Sequence, residues 1–224
     1  MSTNFEFRRP DRAVHVELID RLRCNAPHED SWLVAAATTT VDRNIVAGLL
    51  GCPVCGAEYS VVDGDVWYSS PQETTAAPAA PPADADDAIR LAALIGVDER
   101  GGLYALHGAE GRFAGALGRI DAVQIILIDP PRGAEAPAVI RGAGERIPLA
   151  NGALRGIAIG SASERIADAA ARALAPRGRL VAPVATPVPA GITVLARDAS
   201  QWVGEAGERS SPPVTLRRST TVAP

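Results

Sequence analysis

The chain has 224 residues, 47% of them hydrophobic and 21% charged, with a formal net charge of −4. That length and balance suit one α/β domain plus a small module, and they argue against a nucleic-acid coat, because phosphate neutralisation supplies most non-specific affinity. All 22 basic residues are arginine, which removes Schiff-base lysine chemistry and Walker-type phosphate loops.

Residues 1–68 hold all three cysteines, and an odd count with no charged-then-apolar leader argues against a secreted disulfide scaffold. Val14, Val16 and Leu18 alternate as on a strand leading to Cys24. Ile45, Val46, Leu49 and Leu50 follow helical spacing after Thr40 and Asp42. Two β-prone runs flank Asp63-Gly64, the strongest short-range hairpin signal, and together cover 59–68.

Residues 69–87, SSPQETTAAPAAPPADADD, offer nothing to a core and read as a Pro/Ala-rich linker. Beyond it the pattern predicts a helix over 86–95, a strand over 103–106, a helix over 112–117 and a strand over 123–128. A strand over 156–159, a helix over 163–174 and strands over 180–184 and 192–196 follow. Strands alternating with helices imply βαβ units and a mostly parallel sheet over 88–204. Residues 205–224 are polar, contain Pro and read as an extended tail. The longest apolar run, around 123–128, is far short of the roughly 20 residues that span a bilayer. A cytoplasmic location, peripheral on a larger complex, is the expectation.

The chemistry-bearing pattern lies in the first region. Cys52-Pro-Val-Cys55-Gly56 is a C-x2-C knuckle, and Cys24-Asn-Ala-Pro-His28 a C-x3-H pair. Together they can close a tetrahedral Cys3His zinc site with no open position, which is a structural site and not a catalytic one. A small region with a thin core needs such a staple. The same residues also admit a metal-free thiol knuckle or a redox pair, and His15 or Asp30 could replace His28 as the fourth ligand. His107 and Glu110, at i, i+3, have the residue types of an acid–base pair, but no nucleophile stands near them in the sequence, so no catalytic residue is assigned. Trp32, Trp67 and Trp202 read as core or interface anchors, and Arg217-Arg218 as solvated charges.

The run from Leu50 to Trp67, with its knuckle, aromatic and Asp-Gly turn, resembles the C-terminal half of Trm112-like zinc-ribbon domains. That resemblance implies a module that binds and stabilises methyltransferase domains. The departure is a C-x3-H first half in place of the commoner C-x2-C. Residues 88–204 resemble a class I S-adenosylmethionine-dependent methyltransferase, a Rossmann-like fold. Gly102 to Phe113 falls on the first strand and glycine loop, Val123 to Asp129 on the second strand with its terminal acid, Glu145 to Leu154 on the segment before the fourth strand, and Ala171 to Val181 on the helix, turn and fifth strand.

The resemblance places Gly111 and Asp129 at cofactor-binding positions, Asp129 holding a ribose diol; Asp129 also reads as the opening of the Asp-Pro-Pro turn. It also exposes losses: Ala105 replaces the strand's acid, and His107 and Ala109 replace the first two loop glycines. No substrate-binding insertion fits between Val184 and Ile192. Two readings follow. One is a non-catalytic structural or docking subunit with structural zinc and little S-adenosylmethionine affinity, contacting other protein chains through its linker and tail. The alternative is an active methyltransferase with a divergent loop, with RNA as its candidate substrate. A zinc-ribbon nucleic-acid binder is disfavoured by the acidic balance.

Overall fold

A computed structural model describes residues 13–71, 78–134 and 136–208 of the chain. β1 (Val14–His15) runs straight into a single helical turn, α1 (Val16–Ile19). The strand expected to reach Leu18 is cut short because His15 Nδ1 accepts the Glu17 N–H at 3.3 Å and caps the turn. Leu18 and Ile19 then enter the core side by side.

β2 (Val34–Val41) and β3 (Asn44–Gly51) form a hairpin whose turn residues Asp42 and Arg43 both have positive φ, 46° and 62°. That is the geometry of a tight two-residue connection matched to strand twist. The helix expected over Ile45, Val46, Leu49 and Leu50 is therefore a strand. The register skips Val46, so Ile45 and Leu50 turn to the same, buried side. A bulge thus reproduces in a strand the spacing that a helix would show. β4 (Glu58–Val62) and β5 (Asp65–Trp67) are the expected hairpin around Asp63-Gly64.

α2 (Ala85–Leu94) starts one residue earlier than the sequence suggests, because the Asp84 carboxylate accepts the Asp86 N–H at 2.8 Å. β6 (Gly102–His107) leads through a 3₁₀ segment, Gly108–Phe113, into the one-turn α3 (Ala114–Leu117). β7 (Val123–Ile128), β8 (Ala138–Arg141) and β9 (Leu154–Ile159) follow. Ser163 caps α4 (Glu164–Ala173), and β10 (Leu174–Pro183), β11 (Ile192–Arg197) and β12 (Gln201–Ala206) complete the order. β2, β8 and β12 were not anticipated, and β12 takes in Glu205 and Ala206, the first residues assigned to the tail.

Among the described residues all twelve strands join one sheet in the order β1-β3-β4-β5-β8-β7-β6-β9-β10-β12-β11, with β2 on the other side of β3. From β5 to β10 every neighbour is parallel. This mixed, mostly parallel sheet is consistent with a Rossmann-like, methyltransferase-like fold, and its order reverses between β6 and β9. The first four long strands do not stand as a discrete zinc-ribbon module. β5 pairs β8 with Val66 opposite Ile140, and one core runs from Val14, Leu50 and Tyr59 through Ile140 and Leu154 to Trp202. On the opposite face α2 and α3 cover a second core around Leu91, Tyr104, Leu106 and Leu127. No helix among the described residues is long and apolar enough to cross a membrane.

Candidate functional site

The loop after α1 and the loop between β3 and β4 bring Cys24, His28, Cys52 and Cys55 together, with one ligand atom of each within 4.8 Å of all the others. Cys24 Sγ lies 3.7 Å from Cys55 Sγ, and His28 Nε2 lies 3.1 Å from Cys24 Sγ and 3.4 Å from Cys52 Sγ. Sulfurs bonded at about 2.3 Å to one tetrahedral ion are roughly 3.8 Å apart, so the spacing fits a single zinc-sized ion. His15 and Asp30 are not in this set; Asp30 instead pairs with Arg23 at 3.6 Å.

The backbone explains why the ligands converge. Gly56 donates to the Cys52 carbonyl at 3.0 Å and has a φ of 72°, which a side chain at that position would strain. Cys52 in turn donates its N–H to Ala57 at 2.8 Å and closes the knuckle. The His28 ring turns Nδ1 to the Glu29 carbonyl at 2.6 Å. If that nitrogen carries the proton, Nε2 keeps its lone pair toward the sulfurs, which is how a ligating imidazole is oriented. Burial raises the Cys52 thiol, yet the Cys55 and Val54 N–H groups outweigh it and bring the group down to about 6. That lowering favours the thiolate, the form that binds metal.

Two residues of the site carry no signal in the ligand spacing. Tyr59 Oη lies 3.1 Å from Cys24 Sγ and accepts the Asn25 N–H at 2.9 Å, while its ring stacks on Tyr68 at 4.4 Å. Asn25 Nδ2 reaches across to the Ala143 carbonyl at 3.1 Å. A cleft of about 630 Å³ separates Cys24 and His28 from Arg165 and Asp168 of α4.

The positions assigned to a cofactor are engaged by the chain itself. Asp129 ends β7, and its carboxylate accepts the N–H groups of Gly142, Ala143 and Gly144 at 2.5, 3.3 and 3.1 Å. Gly111 is buried, and a Cβ there would stand 3.1 Å from Pro130 and 3.2 Å from Pro131. At the order reversal between β6 and β9, the Gly160 N–H donates to the His107 carbonyl at 3.1 Å, and a Cβ on Gly160 would stand 3.0 Å from the Ala109 nitrogen.

His107 is buried with no partner on Nδ1, and burial lowers its pKa while the Asp129 charge opposes. Burial raises the Glu110 carboxyl against the pull of Arg112. No hydrogen bond joins His107 to Glu110 among those described. Trp202 is fully buried and donates to Thr186 at 2.9 Å; Trp67 lies under Arg141, and Trp32 is exposed. Arg217 and Arg218 lie outside the described residues.

No protein-family model matches the chain, and no curated protein is similar to it in sequence. Among solved structures, the antibiotic-resistance methyltransferase Kmr is 14% identical with a TM-score of 0.38, over 61% of this chain and 99% of that one. A probable spermidine synthase from Corynebacterium glutamicum is 13% identical with a TM-score of 0.30, over 70% of this chain and 62% of that one.

Proposed function

We propose that the protein is a non-catalytic structural or docking subunit. In this reading it is a methyltransferase-like scaffold whose N-terminal hairpins are fixed by a structural zinc ion held by Cys24, His28, Cys52 and Cys55. The observation that carries it is the Asp129 carboxylate. Its oxygens already accept three loop N–H groups, which leaves about one of a carboxylate's roughly four acceptor sites for a ribose diol that would use two. Gly111 is then a packing glycine beneath Pro130-Pro131.

The Trm112-like resemblance of 50–67 supports a docking role. Contacts to partner chains through 69–87 and 205–224 belong to the same proposal, although 72–77 and 209–224 lie outside the described residues. With all four ligands filled, zinc supplies folding energy and no Lewis-acid position.

Titration calorimetry with S-adenosylmethionine and its demethylated product tests the reading. The expected result is no heat of binding at accessible concentrations. A dissociation constant near 1 μM, about −8 kcal/mol, would overturn it and restore the active methyltransferase.

A further inference from the structure

β2 is a long edge strand of unusual character. It pairs with β3 alone, and no described strand occupies its outer edge. From Val34 to Thr40 every residue is exposed, so neither face of the strand rests on the body of the protein. An uncharged edge of this length, without proline, is a template for another strand, and monomeric proteins usually blunt such edges with lysine, proline or a cover. This one is VAAATTTV, with no charge at all.

Its two irregularities do not bend it out of use. The register that starts at Val34 opposite Gly51 is recovered at Val41 opposite Asn44, because the extra residue on β2, Thr38, is cancelled by Val46 on β3. Beside the edge lies an apolar surface. Leu49 sits opposite Ala36 and next to Ser60, so Leu49, Val34 and Val62 share a face, and Trp32 stands at the entrance of the strand. Trp32 is 63% exposed and Val34 58%.

We infer that β2 is the interface of a homodimer, pairing antiparallel with β2 of a second copy so that one sheet runs through both chains. The sequence of the strand is compatible with its own reverse. Set antiparallel with Val34 against Val41 of the second copy, it places valine against valine at both ends and alanine against threonine at the next two positions, with the Ala37-Thr38 bulge on the two-fold axis facing its own copy. No like charges meet, and no large side chains collide. A two-fold axis through the strand pair closes the assembly. Pairing β2 with the opposite edge strand, β11, would be head-to-tail and would leave a free edge at each end of the array however many chains were added. β11 also ends in Arg197, which would bring a charge into an otherwise neutral seam. The inference uses neither the metal nor the cofactor reading, so it stands or falls separately from them.

Sedimentation equilibrium of the full-length chain tests it. The wild type should sediment at twice the mass of one chain. Ala36→Lys should halve that mass with an unchanged circular dichroism spectrum, since Ala36 is exposed and its neighbour across β3 is the exposed Leu49. Ala36→Thr, uncharged and β-prone, should remain a dimer, and so should Leu195→Lys on β11. If Ala36→Lys alters the spectrum, Thr39→Lys, on the position facing Ala36 of the second copy, asks the same question. A wild type of single-chain mass, a lysine variant that folds and still dimerises, or dissociation by Leu195→Lys would each overturn the inference.

Discussion

β6, β7 and β9 each end in four consecutive buried residues, whereas β2 buries none of its eight. The first group lies in the parallel centre, covered by α4 on one face and by α2 and α3 on the other. Their side chains leave water on both faces, and burial of this kind is stabilising at about 25 cal/mol per Å². The β2–β4 region has only one covered face, and its buried residues are few: Leu33, Ile45, Leu50, Cys52, Tyr59 and Val61. It is there that four metal-ligating side chains converge. The contrast teaches that apolar burial accounts for the centre of one continuous sheet, whereas toward one end a cluster able to hold a metal stands where buried surface is scarce.

Removing the staple should give the largest effect. Chelation, or Cys52→Ser, forfeits a binding free energy of about 10–16 kcal/mol by comparison with zinc-finger peptides. Hydrogen exchange should then show loss of protection over β2, β3 and β4, with β6, β7 and β9 still protected. One zinc per chain by elemental analysis is the starting condition. If both regions lose protection together, the pairing of β5 with β8 makes the sheet one cooperative unit and the comparison fails.

The converse perturbation is smaller. Leu106 is fully buried in the core beneath α2 and α3. Leu106→Ala should cost about 2–5 kcal/mol in global stability, read from the denaturant midpoint. Zinc content should be unchanged, and a fall in bound zinc would show that the two regions are not held separately.

The comparison also explains what the sequence made legible. The ligand set could be read directly, because coordination chemistry demands Cys and His at short, paired spacings, and the structure brings those four residues together. The parallel strands were visible as apolar runs such as 123–128. β2 was invisible because Ala and Thr carry no periodic contrast on a strand exposed on both faces. β3 read as a helix because a bulge at Val46 shifts the buried positions by one. β12 was missed because its buried apolar side chains, Trp202, Val203 and Ala206, are separated by Gly204, which has no side chain, and by the half-buried Glu205. Tyr59 was read only as a hairpin residue, since nothing in the spacing of the cysteines points to a phenol that meets Cys24 from β4.

The smallest effect belongs to the far edge. Asp198, in the turn between β11 and β12, is held down to about 2 by the Ser200 hydroxyl, the Ser200 and Gln201 N–H groups and Arg90 of α2. Its ordinary value is 3.8, so the folded state binds this proton less readily than the unfolded chain. The stabilisation is therefore complete above pH 4 and lost as the pH falls toward 2. Acid unfolding of Asp198→Asn against wild type should show a stability gap that closes across that window. A gap independent of pH would mean that the turn is held by geometry and not by charge.

The β5–β8 seam also sets an order of events during synthesis. Val66 finds its second partner only when Ile140 has left the ribosome, and translation at about 5–20 residues per second puts several seconds between the two. Cys24, His28, Cys52 and Cys55 all emerge before that interval begins. The growing chain can therefore complete its coordination sphere while the sheet it will join does not yet exist. Through that interval the outer edge of β5 is an unpaired strand on a nascent polypeptide, and on the proposed zinc reading metal supply during translation would govern how much of the rest of that half is ordered while it waits.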